Sequence, residues 1–239
     1  MNKNSSPAGA QGSDQLLGTA PIGRLILKLA LPAVAAQFIN VLYNIVDRIY
    51  IGNIPGIGAT ALTGVGVAFP ILMVISAFAA FAGMGGAPLA SIRLGAGDKK
   101  GAERILGNSF CFLLIISLVL TVGFQVFKRP LLYAFGASDN LIGYATDYIT
   151  IYLWGTVSVQ LALGLNTFIS AHGRSTTAML SVAIGAVLNL LLDPLFIFVF
   201  GMGVKGAAVA TIISQTVSAV WVVAFLFSQS SVIRLRRAT

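Results

Sequence analysis

Charge is the scarcest thing in this sequence. Only 9% of its 239 residues are Asp, Glu, Lys or Arg, against about a quarter in a soluble domain. Hydrophobic residues make up 57%, and the mean hydropathy is +0.91. That balance excludes an ordinary soluble domain. The alternating segments of about ten residues that build a transmembrane barrel are also missing. Apolar runs near the ~20 residues that cross a bilayer as a helix are present instead, so the composition predicts an all-α membrane protein. The single cysteine, Cys111 in "FCFLLIISLVL", excludes an internal disulfide and reads as a small buried hydrophobe.

Catalytic signatures are missing too. There is no G-x-x-x-x-G-K-[ST] phosphate loop, no H-E-x-x-H pair, no nucleophile elbow and no dinucleotide fingerprint. The sequence therefore implies no enzyme and no cofactor, and uphill transport would have to draw on an ion gradient. The net charge of +8 does not call for nucleic acid, because topology gives membrane proteins a basic excess.

Residues 1–21 are small and polar and read as a disordered tail. Residues 22–228 hold six expected spans, at about 29–52, 61–89, 105–127, 141–170, 177–201 and 206–228. "IGRLILKLALP" reads as an amphipathic lead-in to the first, "SIRLGAGDKKGAERILGNS" (91–109) as a tight basic loop, and 229–239 as a basic tail. On the side of the termini fall Lys3, Arg24, Lys28, Arg93, Lys99, Lys100, Arg104, Arg174, Arg234, Arg236 and Arg237. The other side holds Arg48, Lys128, Arg129 and Lys205. Such a bias places both termini in the cytoplasm.

Of seven acidic residues, Asp47, Asp147 and Asp193 fall within spans. Ionisable groups there are costly, usually face the bundle interior and mark ion paths. Gln37, Asn40, Asn44 and Asp47 share one face of the first span, bordered by Tyr43. Packing by interhelical hydrogen bonds would explain the amides alone; a carboxylate among them points to function. An Asp47–Arg48 ion pair at the interface is the competing reading. Asn189 and Asp193 lie four residues apart on the fifth span, and Pro194 removes a backbone donor, freeing the carbonyl of Leu190 and loosening a hinge turn. A carboxylate, an amide and a loosened turn can bind a cation and respond to it. A static kink with a protonated carboxyl is the alternative. If Asp47 and Asp193 share a cavity, either a proton or a sodium ion held with hydroxyls such as Thr211 would suit it. Asn166 is a further candidate. Asp147 sits among Tyr144, Tyr148, Tyr152 and Trp154, which read as an aromatic interface belt. His172 and Arg174 read as topology only. The glycines of "GMGG" (83–86) and "GVGVAFP" (64–70) read as close-packing and hinge positions.

"LPAVAAQFINVLYNIVDRIYIG", "IRLGAGDKKGAERILGNS", "SAHGRS" and "LNLLLDPLFIFVFGMGVKGAAVAT" together resemble the multidrug and toxic-compound extrusion (MATE) transporters, in particular the bacterial MepA/DinF-like branch. The resemblance spans about residues 20–230. It implies twelve helices in two six-helix lobes, of which this chain matches the amino-terminal one. It implies a proton or sodium site on Asp47, Asp193, Asn189, Asn166 and Thr211 with Tyr43 nearby, exchange of that ion for cationic amphipathic drugs, and residence in the bacterial plasma membrane. A second six-helix lobe or a homodimer partner would complete the drug cavity, with membrane lipid around it. Lipid-linked oligosaccharide flippases share the broader fold, but they should carry several intramembrane basic residues, and only Arg48 qualifies. A non-transporting membrane assembly partner is the remaining reading.

Overall fold

The computed structural model describes residues 22–228 and 231–235; the expected 1–21 tail and most of the basic tail lie outside these. Among these residues seven α-helices follow one another: α1 (Ile22–Gly52), α2 (Gly58–Gly95), α3 (Lys99–Ala134), α4 (Ile142–Trp154), α5 (Thr156–Ala171), α6 (Ser175–Pro194) and α7 (Val204–Phe227). Five are long and apolar enough to cross a membrane, or six spans if α4 and α5 count as one bent pair.

The bend between α4 and α5 is 61°, so the fourth span, expected as a single helix, is broken. The break falls at Gly155, where a Cβ would meet Ile212 Cγ1 of α7 at 2.5 Å. Glycine thus admits the neighbouring helix. The hydroxyls of Thr156 and Thr121 donate to the carbonyl of Leu153 at 2.7 and 3.1 Å. Such repair is what allows a helix to break away from water.

Two other expectations change. The lead-in before residue 29 is continuous with α1, with Pro32 inside the helix. A proline removes one hydrogen bond, which does not stop a helix already running on both sides of it. The basic stretch 91–109 is mostly helical. Its turn is confined to Ala96–Asp98, where Gly97 adopts φ +80° and Asp98 Oδ1 accepts from the Gly101 amide at 2.8 Å, capping α3. Arg93 pairs with Asp98 at 3.5 Å. With 38 and 36 residues, α2 and α3 rise about 55 Å, more than a hydrocarbon core of ~30 Å.

One hydrophobic cluster fills the end away from the termini, built on Ile51, Ile71, Ile75, Ile149 and Leu153. A second, at the termini end, joins Leu106, Leu113, Leu165, Phe168 and Leu226, and Ile233 and Leu235 close it from below. In "GMGG", Gly86 lies against Phe168 and Ser109, where a Cβ would stand 2.6 Å from each. Gly83 is a close approach as well, whereas Gly66 and Gly85 face open space. Cys111 is exposed on the outer face rather than buried; an apolar run is no guide to burial where the surroundings are apolar too. α1 is peripheral: it packs chiefly on α6 and barely on α7, leaving Leu31, Val34, Phe38, Val41 and Ile45 exposed.

Candidate functional site

α1 and α6 run side by side, which brings Asp47 against Asp193. The two carboxyl groups lie within hydrogen-bonding reach of one another. Asp193 is wholly buried, and Asn189, one turn before it, is 2% exposed. Asn189 Nδ2 donates to Asp193 Oδ1 at 3.2 Å and lies 3.4 Å from Thr211 Oγ1 on α7. The Thr211 hydroxyl in turn donates to the carbonyl of Ala207 at 2.9 Å, so it faces Asn189 as an acceptor. Tyr43 stands beside the pair, within reach of Gln215.

Three oxygens of this group are buried with no hydrogen-bond partner: Asp47 Oδ1, Asp193 Oδ2 and Asn189 Oδ1. Buried acceptors are normally satisfied, and two carboxylates cannot both ionise at close range without a compensating charge. A proton between the carboxyls, or a desolvated cation, meets both requirements. The donors are hard oxygens of low total charge, which suits a proton or a monovalent ion. Among the described residues no group of three or more His, Cys, Asp or Glu could hold a metal.

α6 is helical through Pro194 and then widens into a π-helical turn, Leu195–Val199. Phe200 N donates to Leu195 O at 2.9 Å and Met202 N to Phe196 O at 3.1 Å. The loosening lies just after the proline rather than at the Leu190 turn. The site thus sits where α6 changes pitch.

Asn166 is not part of this group. Its Nδ2 donates to Ala178 O at 3.2 Å and its Oδ1 accepts from Ser181 Oγ at 3.0 Å, two turns nearer the termini end. Of the α1 stripe, Asn44 Nδ2 bonds the carbonyl of Asn40 at 2.7 Å and is exposed, while Asn40 lines a cleft with Tyr43 and Asn189. Arg48 lies with its guanidinium over Phe69 at 5.3 Å. Asp147 pairs with Lys205 at 3.5 Å near the surface.

The aromatic belt is corrected in part. Trp154 is 73% exposed, but Tyr148 and Tyr152 are buried and stacked, centroids 5.9 Å apart, and Tyr148 reaches the field of Asp47 and Asp193. The signal was in the spacing. Tyr144, Tyr148 and Tyr152 recur every four residues, so they spread over about 12 Å of depth, too far for one interface. At the termini end, His172 Nδ1 bonds the carbonyl of Phe168 at 2.5 Å, and burial pushes its imidazole pKa below the usual value.

Comparison with known proteins agrees with this fold. The Multidrug export protein MepA of Staphylococcus haemolyticus is 26% identical over 204 residues, 85% of this chain and 45% of the relative. The FAD transporter of Shewanella oneidensis is 27% identical over 84% of this chain and 44% of its own length. A crystal structure of MATE in the bent conformation matches with a TM-score of 0.85 and 30% identity, over 97% of this chain and 50% of that one. The chain therefore spans about half the length of the relatives it matches, as a single lobe would. The family model described as MatE matches residues 32–195, more than half the chain, and the chain belongs to that family of multi-pass membrane transporters.

Proposed function

We infer that this chain is the cation-binding lobe of an antiporter that exports lipophilic cationic compounds in exchange for protons or sodium. The observation that carries the reading is the Asp47–Asp193 pair, with Asn189 and Thr211, in which Asp47 Oδ1, Asp193 Oδ2 and Asn189 Oδ1 are buried without a protein donor. That relatives are named a multidrug export protein and a probable multidrug resistance protein supports drug efflux. The π-helical turn beside Asp193 supplies a place where neutralising the site can alter helix pitch, and so couple ion binding to a change of shape. A second six-helix lobe would supply the opposite wall of the drug cavity. The bias of basic residues supports cytoplasmic termini in a bacterial plasma membrane.

The test is efflux of a fluorescent lipophilic cation from cells in which this chain is joined to the second lobe of a relative. Asp47→Asn and Asp193→Asn should each abolish efflux while the protein still reaches the membrane. Wild-type efflux by both variants would refute the coupling role.

A further inference from the structure

Two helices beside the carboxyl pair extend its polar groups into stripes that run on beyond the site. On α6, Ser181, Gly185, Asn189 and Asp193 recur every four residues; on α7, Thr211, Ser214 and Ser218 follow at three and four. Each set shares one helix face, and the two faces meet across a cleft of about 40 Å³, room for single waters. Ser218 Oγ donates to the carbonyl of Ser181 at 2.9 Å. Ser181 Oγ lies 3.0 Å from Asn166 Oδ1 and 2.8 Å from the carbonyl of Ala178. One hydroxyl proton cannot serve both acceptors, so this group has two alternative settings. Gly185 leaves the gap in the stripe: a Cβ there would run into Ser218 Oγ.

A second cleft, of about 550 Å³, shares Asn40, Leu163 and Val182 with the first and continues past Asn166 to Ser170 and Ser175 at the termini end. The two together reach from the carboxyl site to that end of the lobe. Ser214 Oγ and Asn189 Oδ1, on residues each 2% exposed, lie at the first cleft with no protein partner. Lipid cannot satisfy them; water or a passing cation can. No charged residue interrupts α6 from Ser175 to Leu192 or α7 from Thr211 to Ser218, so nothing along the stripe would trap an ion.

We propose that these clefts form a water-filled path within the lobe, between α1, α5 and α6, with α7 lining its carboxyl end and α2 its other end, along which the coupling cation passes between Asp193 and the termini end by way of Ser214, Ser218, Ser181 and Asn166. The proposal rests on the cation-site reading above. From Asn189 to Ser181 is eight residues, about 12 Å along the helix, and polar groups at each turn leave gaps that single waters bridge.

The experiment uses the full chain with Cys111→Ala, in membrane vesicles whose termini end faces the bath. A membrane-impermeant methanethiosulfonate reagent is applied to Ser181→Cys, to Ser214→Cys and to Val187→Cys, whose position on α6 faces outward at 56% exposure. Only a thiolate reacts, and a thiolate needs water, so the two path cysteines should react on the order of tenfold faster than the control. In the same vesicles, modification of Asp193 by a hydrophobic carbodiimide, read by mass spectrometry, should respond to sodium or to pH. Path cysteines as slow as Val187→Cys, with that response intact, would overturn the path and leave the site standing. Reaction at Ser181→Cys but not at Ser214→Cys would overturn it equally, because the water would stop short of the site. Carbodiimide modification indifferent to both ions would remove the cation site, and the path with it.

Discussion

Asp193→Asn should raise the stability of the protein while ending its response to cations. In the native site Asp193 Oδ1 accepts from Asn189, and Oδ2 is buried with no donor, the Asp47 carboxyl being within reach of the group. An asparagine of the same shape keeps the first bond and turns an amide N–H₂ towards the unpartnered Oδ1 of Asp47. That makes one hydrogen bond to a charged group, worth about 1.5–3 kcal/mol. At about 2–4 °C per kcal/mol for a chain of this size, the midpoint of unfolding should rise by about 3–12 °C. The wild type should gain comparable stability only when a cation fills the gap: about 2.7 kcal/mol at a concentration a hundredfold above its dissociation constant. Thermal unfolding in detergent, followed by the fluorescence of Trp154 and Trp221, measures both quantities when sodium and pH are varied in turn. A variant that melts below the wild type, or that keeps the wild-type response to either ion, would refute the argument that these oxygens are held open for a cation.

Other regions give further tests. His172 is held neutral by burial at the end of α5, so the unfolded chain binds the extra proton first. Stability should therefore fall as pH drops below about 6.5, the ordinary histidine value. His172→Gln should remove that part of the acid-side loss, and an unchanged acid limb in melting curves would count against it. Gly86→Val should cost about 1–3 kcal/mol or more by overpacking against Phe168 and Ser109, whereas Gly85→Ala, facing open space, should be nearly silent; denaturation midpoints of the two variants decide. The Asp147–Lys205 pair is half exposed on both sides, so a double-mutant cycle should return at most about 1 kcal/mol of coupling. Pro194→Ala restores a backbone donor and should shorten the π-helical turn, which distances between spin labels on either side of it would show; unchanged distances would mean that Leu195–Val199 widens for another reason.

Much of this was legible because a membrane makes polarity informative. An aspartate in an apolar run has few explanations, and Asp47, Asp193 and Asn189 stand out in the sequence by their polarity alone. Helical periodicity then ties Asn189 to Asp193 and Tyr43 to Asp47. The pairing of α1 with α6 was not legible, since nothing in the local pattern says which distant helix is the neighbour. Asn166 shows the cost of that gap: its polarity marks an internal position, but its depth beside Ser181 separates it from the carboxyls by two turns. The break at Gly155 was hidden for a related reason. Glycine is common in transmembrane helices, and only the approach of Ile212 shows that this one ends a helix.

Serine and glycine are the residues whose meaning changed most. Ser181, Ser214 and Ser218 are ordinary residues in a transmembrane sequence, where a hydroxyl can bond back to its own helix and cost little. Ser214 has no such bond in this structure, and Ser218 reaches across to the carbonyl of Ser181 on another helix. Two stripes therefore face each other, and α1 supplies only Asn40 and Tyr43 to the same cleft. Asp193, Asn189 and Thr211 on α6 and α7 and Asp47 and Tyr43 on α1 build the carboxyl site. The proposed ion binding can therefore be tested on the lobe by itself, and a failure of the chain to transport would not by that fact count against the site. Ion-dependent stability and water access along α6 and α7 separate the two questions, because neither needs a second lobe.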